Sequence, residues 1–396
     1  MGIVGVDVGR SGHYAVALGD DGERLLARGI TNRQHDIDEL LTWAHEHGAS
    51  VVVDQPNGGA AALIQACWDR GVPVGYLHGL AMARARDFYE GESKTDPKDA
   101  FVIADVARTH PARIVELAPL PEERARLELL CGRDEDLRAD VVRSTNRLRQ
   151  VLTTYWPAFA AALGDRLITR AGLALLEHYP DPRRLARTGA ARLGSFLRTN
   201  RAQGANRFAE QLVASVREQR TDVAGSSTAA ELVGALAAEL QRLQEMREAN
   251  AEEIEAAFFA LPEAPILLSL PGIGPRLGAK ILCEIGDIAR FPTAAKLASY
   301  AGLGPSTRQS GTSLAGAVPS RRGNHRLKNA LFLAAFASLR HPPSRTYYDR
   351  KRAEGKRHND AVMCLARRRV DVLHAMLVKG ECYRWSQEPD PERAAA

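Results

Sequence analysis

Four aspartates in the first hundred positions are placed as chemistry would place them: Asp7 in IVGVDVG, Asp54 in SVVVDQPNG, and Asp96 with Asp99 in KTDPKDA. Asp7 and Asp54 each interrupt or end a β-branched run, where a buried strand emerges into a polar pocket. Asp96 and Asp99 stand three apart at the start of a predicted helix and so share a face. Carboxylates gathered from two strands and a helix repel one another unless a cation lies between them. Oxygen donors with no neighbouring Cys or His select Mg²⁺ or Mn²⁺ over zinc. A pair of such ions about 3.5–4 Å apart would activate an oxygen nucleophile and stabilise the leaving oxygen of a phosphodiester. Singly, the acids have plainer readings: Asp96 can cap its helix and Asp54 can open a turn before Pro56. Asp7, between Val6 and Val8, is costly to bury without a cation.

The elements that must position them follow from patterning. Residues 2–8 read as a buried strand, and YAVALG and RLLARGI flank the Asp20-Asp21-Gly22 turn, which makes an antiparallel meander of three strands. A helix through DIDELLTWAHEHG stops at Gly48; strand SVVVDQ, helix AALIQACWDRG and strand PVGYLH follow. This order predicts a ribonuclease-H-like α/β domain with a mixed sheet, carrying one carboxylate within its first strand and another at the end of its fourth. GVDVGRSGHYAV also resembles the first phosphate loop of actin-like ATPases and sugar kinases, but the second phosphate loop and the adenosine motif of that class are missing from the sequence.

From Pro121 the pattern turns helical, with Leu130, Leu137, Val141, Leu148 and Val151 approximating a 3.5-residue seam. After a loop-rich stretch around Pro180 and Pro182, a long charged helix is expected, lined by Leu232, Leu236, Leu240, Leu243, Asn250 and Ile254, either a coiled-coil arm or a bundle element. LLSLPGIGPRLGAKILCEIG matches a helix-hairpin-helix: Gly272 and Gly274 allow close backbone approach, and the amides opening the second helix near Arg276 and Lys280 can grip a phosphate without reading sequence. The same turn can also serve packing alone. SYAGLGPSTRQSGTS is a Gly/Ser/Thr-rich loop. Its serines are ordinarily loop filler, but Ser310 lies beside Arg308, and a serine attacking a phosphodiester needs such charge stabilisation. Basic residues then accumulate, Arg321, Arg322, His325, Arg326 and Lys328 among them, with further Arg and Lys around Tyr347 and Tyr348, as expected of a salt-sensitive nucleic-acid surface. The expected division is 1–120, 121–227, 228–261 and 262–385.

Composition bounds these readings. At 396 residues and 45% hydrophobic, the chain is long enough for two or three domains, and its 53 basic against 48 acidic residues leave only +5. Acid is concentrated in the N-terminal third and in 228–257, base from Arg308 to Arg369. Five scattered cysteines without a CxxC pair suit a reducing compartment. With no basic leader after Met1 and no run of eighteen apolar residues, a cytoplasmic protein with no membrane partner is expected.

The order IVGVDVG, VVVDQPNG, KTDPKDA, then LPGIGPRLGAKILCEIGDIARFPTAAKLASYAGLGPSTRQSG, then RRGNHRLKNAL resembles the transposases of the insertion-sequence-110 family, from residue 3 to about 355. The resemblance implies a RuvC-like domain with a four-acid site, a helical connection, and a C-terminal transposase domain with an essential serine. By that likeness Asp7, Asp54, Asp96 and Asp99 would hold Mg²⁺, and Ser310 would attack DNA to form a phosphoserine link, with Ser306 the second candidate. It also implies a structured guide RNA and dimers that pair into a tetramer on DNA. The family's second acid is usually glutamate; Asp54 is one methylene shorter. Two other readings stand beside this one: a RuvC-like junction nuclease that cuts with water, and a non-catalytic helix-hairpin-helix nucleic-acid-binding protein.

Overall fold

The computed structural model describes residues 2–56, 58–89, 95–310, 314–319 and 323–385; for Leu80, 305–310 and 314–319 only the backbone is described. The chain divides into two compact units, Met1–Pro121 and Glu122–Ala396. Among the described residues no helix is long and apolar enough to cross a membrane.

The first unit is built on a six-stranded mixed sheet of β1 (Ile3–Val8), β2 (Gly12–Leu18), β3 (Arg24–Thr31), β4 (Ser50–Val53), β5 (Val74–Leu77) and β6 (Ile114–Glu116), in the order β3-β2-β1-β4-β5-β6. The meander β1–β2–β3 is antiparallel, β1–β4 and β4–β5 are parallel, and β6 closes the edge antiparallel. This is the ribonuclease-H-like arrangement expected from the sequence. Helices α1 (Gln34–Glu46), α2 (Ala61–Asp69), α3 (Gly79–Arg86) and α4 (Asp96–Thr109) cover it. The period of two sorts the side chains: Val4, Val6, Val51 and Val53 bury against α1 and α2. Val16, Leu18 and Val52 bury toward α4, with Ala100, Ala104, Val102 and Ile103. Gly5 is needed where α4 crosses β1, because a Cβ there would sit 2.4 Å from both Ala100 O and Ala104 N.

The second unit hangs on two long helices, α5 (Glu122–Tyr155) and α11 (Ser226–Phe259), each of 34 residues, which at 1.5 Å per residue is about 50 Å. They run antiparallel: Asn250 donates to Leu130 O at 3.0 Å, Arg247 pairs with Asp134 at 3.1 Å and Ser144 donates to Glu239 at 2.9 Å. The partner of the long charged helix is therefore in the same chain. Its seam also differs from the expected one at one end: Leu232 is 51% exposed, while Ala229, Val233 and Ala237 are buried there. Near its start the helix must also pack on the bundle, and that rotates the buried stripe.

Around one end of the pair, α6 (Pro157–Leu163), α7 (Arg170–His178), α8 (Pro182–Thr188), α9 (Ala190–Thr199) and α10 (Ala205–Glu218) enclose one core. Around the other, α12 (Glu263–Ser269), α13 (Pro275–Ile285), α14 (Ala294–Tyr300), α15 (His325–Ala337), α16 (Pro342–Ala353) and α17 (His358–Lys379) enclose a second. A hairpin, β7 (Pro305–Ser310) with β8 (Leu314–Pro319), lies between α14 and α15 in sequence. Buried Arg124 of α5 donates to Leu282 O and, at 3.2 Å, to Gly286 O, capping the C-terminal carbonyls of α13 with a positive charge.

Candidate functional site

Pairing brings Asp7 and Asp54 together. β1 and β4 are parallel with Val6 opposite Val53, so the next residues, Asp7 and Asp54, stand side by side at the ends of adjacent strands. Both are half-buried. Parity puts Asp7 on the face of Gly5 and Asp54 on the face of Val52, which is the α4 side. Asp54 Oδ1 accepts the Val8 amide at 3.2 Å, and Gln55 Nε2 donates to Val8 O at 3.3 Å. The turn after β4 is thus stitched to the end of β1.

Asp96 and Asp99 arrive on the first turn of α4, which passes over the same face of the sheet. Thr95, not Asp96, is the residue preceding the helix, and it makes no side-chain cap. Asp96 is exposed in the first turn, where its charge complements the helix dipole. Asp99 is buried at 1% exposure. Its Oδ2 accepts from Arg86 Nη2 at 2.6 Å, while its Oδ1 is buried with no hydrogen-bond partner among the described residues. Among the described residues no three His, Cys, Asp or Glu side chains stand close enough to hold a metal ion.

Arg86 is a neighbour that sequence patterning missed, because α3 shows no apolar periodicity to orient it. Truncating one partner of a buried ion pair costs about 3–5 kcal/mol, and Arg86 keeps about a third of its side chain in solvent. Arg86→Ala is therefore expected to cost about 2–3 kcal/mol, read as a lowered urea midpoint at unchanged m-value.

His13 was missed as well. It lies opposite Val8 on β2, buried at 5%, and neither ring nitrogen has a hydrogen bond of good geometry among the described residues. Burial holds its pKa below the usual histidine value, opposed only in part by Asn32 and the charge of Asp54. The visible signal was a histidine in GHYAVAL at an inward parity.

In the second unit the residues meant for nucleic acid divide. Gly272 has φ +87°, and a Cβ there would sit 2.4 Å from Ala334 O and 2.7 Å from Ser338 N, so packing against the end of α15 alone demands this glycine. The carbonyl of Pro271 accepts from buried Arg369 at 2.5 Å, which pins the turn from within. Burial lowers the Arg369 pKa to about 10. Gly274 opens onto free space. Gly272→Ala should destabilise the chain by about 2 kcal/mol or more through clash and positive φ, while Gly274→Ala should leave the melting temperature within about two degrees. Differential scanning calorimetry of the two variants separates them.

Arg276 pairs with Glu255 at 2.7 Å and Lys280 with Glu135, so both cations already have carboxylate partners in α11 and α5. Arg326 lies 3.9 Å from Glu284, and His325 is exposed on the first turn of α15. Asn324 caps that turn through the Arg326 and Leu327 amides, both at 3.0 Å. Lys328 is half-buried on the same turn. Arg321 and Arg322 lie outside the described residues, as do Gly311 to Ser313, and the Arg308 side chain is not described. Ser310 is the last residue of β7, opposite Leu314, whereas Ser306 lies near the other end, opposite Val318. The serine segment is thus strand rather than open loop up to Ser310.

Comparison with known proteins gives these positions a family. An IS110-type DEDD transposase family pattern matches residues 4–157, and the pattern described as transposase IS116/IS110/IS902 family matches 264–349. The chain is 42% identical to the insertion element IS110 43.6 kDa protein of Streptomyces coelicolor, over 99% of this chain and 98% of that one. It is 38% identical to the insertion element IS116 44.8 kDa protein of Streptomyces clavuligerus, over 94% of each. A solved structure, T. thermophilus RuvC in complex with Holliday junction substrate, aligns at 15% identity and TM-score 0.24, covering 30% of this chain and 99% of that one. With two such relatives matched over nearly their whole length and both family patterns in chain order, the protein belongs to the IS110 family of insertion-element DNA transposases.

Proposed function

We propose that this transposase cuts and rejoins DNA with Ser310 as the nucleophile, assisted by Mg²⁺ at the four aspartates and guided by a structured RNA. The observation that carries the acidic half is the pairing of Asp7 and Asp54 at the ends of neighbouring parallel strands, on the face that α4 covers. The buried, unpartnered Oδ1 of Asp99 suits a cation, and all the donors are carboxylate oxygens. No three of these side chains converge closely enough as they stand, so Asp7, Asp54 and Asp99 would have to draw together to hold the ion, with exposed Asp96 reaching it directly or through water. Such an ion supplies charge stabilisation to a phosphate oxygen. Because Arg86 already binds Asp99, its guanidinium must yield or share that carboxylate when an ion enters.

Ser310 Oγ would form a bond to phosphorus as the bond from phosphorus to a sugar oxygen breaks, and the serine proton would end on that departing oxygen. The phosphoserine conserves the energy of the phosphodiester, so a new sugar hydroxyl can reverse the step without an external energy source. Gly274, the opening amides of α13 and the basic turn of α15 would hold phosphates. The guide RNA and the dimer-to-tetramer assembly rest on the family likeness.

The test is to incubate the protein with end-labelled donor DNA, guide RNA and Mg²⁺, denature it, and look for label that migrates with the polypeptide. Cleavage with no label retained by protein would transfer the reading to a water-using nuclease.

A further inference from the structure

A cavity of about 930 Å³ lies between α16, α17 and the segment 381–385, apart in sequence from the four aspartates and the serine hairpin, and it takes in Tyr347 of the basic stretch. A second, of about 410 Å³, shares Tyr347, Arg368 and Trp385 with it, so the two form one channel past those side chains. Its lining combines two chemistries. Tyr347, Tyr383 and Trp385 give it aromatic walls, and Trp385 is 42% exposed. Arg350, Arg368, Lys379 and Arg384 give it cations, all of them solvent-exposed. Against these stand Asp371, already paired with Arg367 at 2.6 Å, and Glu381.

The cations are arranged rather than scattered. Arg350 and Arg368 carry their guanidinium carbons 4.9 and 5.0 Å from the Tyr347 ring centroid, although they come from different helices. Trp385 is steadied by His341, centroid to centroid 5.0 Å at 70°. Ring faces and planar guanidinium groups are what an unstacked base packs on, and the positive rim suits its phosphates. An acidic peptide would use the guanidinium groups and leave the aromatic walls without purpose. Duplex DNA keeps its bases stacked inside and cannot offer one to such a wall, whereas RNA loops and bulges do.

We propose that the Tyr347–Arg368–Trp385 channel holds an unpaired segment of RNA by stacking its bases. This rests on the RNA-guided reading above, but its test needs no recombination. Full-length wild type is titrated into fluorescein-labelled twelve-nucleotide oligo(U), oligo(dT) and a twelve-base-pair DNA duplex at one stated salt concentration, beside Trp385→Ala, Tyr347→Ala and Trp385→Phe. The expected result is that each alanine variant loses about ten-fold or more in oligo(U) affinity, that Trp385→Phe retains most of it, and that duplex binding stays within two-fold. Trp385 is exposed, so its loss leaves the core intact, and circular dichroism melting confirms this for each variant. The proposal is overturned if wild type fails to bind oligo(U), if oligo(U) affinity survives both alanine changes, or if duplex binding falls equally. Oligo(dT) bound as tightly as oligo(U), and lost in parallel, would overturn the assignment to RNA. Failure of the Ser310 adduct test would leave all of these readings unchanged.

Discussion

Ser310→Ala is expected to abolish both strand exchange and the covalent protein–DNA species, by at least about 10³-fold, since removing a nucleophile costs that much or more where it has been measured. Ser306→Ala is the informative companion. The two serines share a parity on β7 but lie four residues apart, opposite Leu314 and Val318 respectively. At about 3.3 Å per residue the separation is roughly 13 Å, too far for both to reach one phosphorus. Loss should therefore be confined to one of them. Denaturing gels of end-labelled donor DNA read the outcome directly, with bound DNA measured in parallel so that lost chemistry is not confused with lost affinity. An adduct that persists in Ser310→Ala and vanishes in Ser306→Ala would move the nucleophile to the start of the hairpin. An adduct surviving both changes would sink the serine mechanism.

Asp7→Asn should be nearly as damaging, for an electrostatic reason. The substitution keeps the shape of a half-buried side chain on β1 and removes its charge. A divalent ion contributes several kcal/mol of charge stabilisation to phosphoryl chemistry, so an activity loss on the order of 10³-fold is expected. Unfolding free energy should change little, because no like-charged neighbour is added and the Val4 and Val6 core on the opposite face is untouched. Asp54→Asn should behave in the same way, since Asp54 sits beside it and its Oδ1 can still accept from the Val8 amide. The measurement is Mg²⁺-dependent cleavage with RNA and DNA binding as controls. Full activity in Asp7→Asn would end the assignment of the ion to these strands.

The acidic residues were legible because their positions obey short-range rules. A carboxylate inside IVGVDVG and another ending SVVV announce two strands whose ends meet if the strands are neighbours, and the β1–β4 ladder makes them so. The mixed sheet followed from the same alternation. Burial was not legible: Asp96 and Asp99 share a helix face by spacing, yet one is exposed and the other 99% enclosed, which depends on where α4 lies on the sheet. Leu232 likewise reads as seam and stands in solvent, because the bundle around α7 rotates the buried stripe of α11.

The basic residues show the limit more sharply. Arg276 and Lys280 look available in the sequence, but their carboxylate partners Glu255 and Glu135 lie on other helices. Gly272 looks like a ligand-binding glycine, and its close neighbour is the backbone of α15. Of the Tyr347–Trp385 channel the sequence shows only Tyr347 and its basic neighbours; the wall of Tyr383 and Trp385 comes from a following segment that no local pattern ties to them.

By itself, then, the sequence determined the class of fold, the family, and which carboxylates and serines have the right types and spacing. Those properties repeat with the periods of strands and helices, so a linear pattern carries them. Only the tertiary structure decided which charges are spent inside the protein, which carboxylate is sealed behind Arg86, and which aromatics share a wall. Those depend on contacts between residues far apart in the chain, and no local period encodes them.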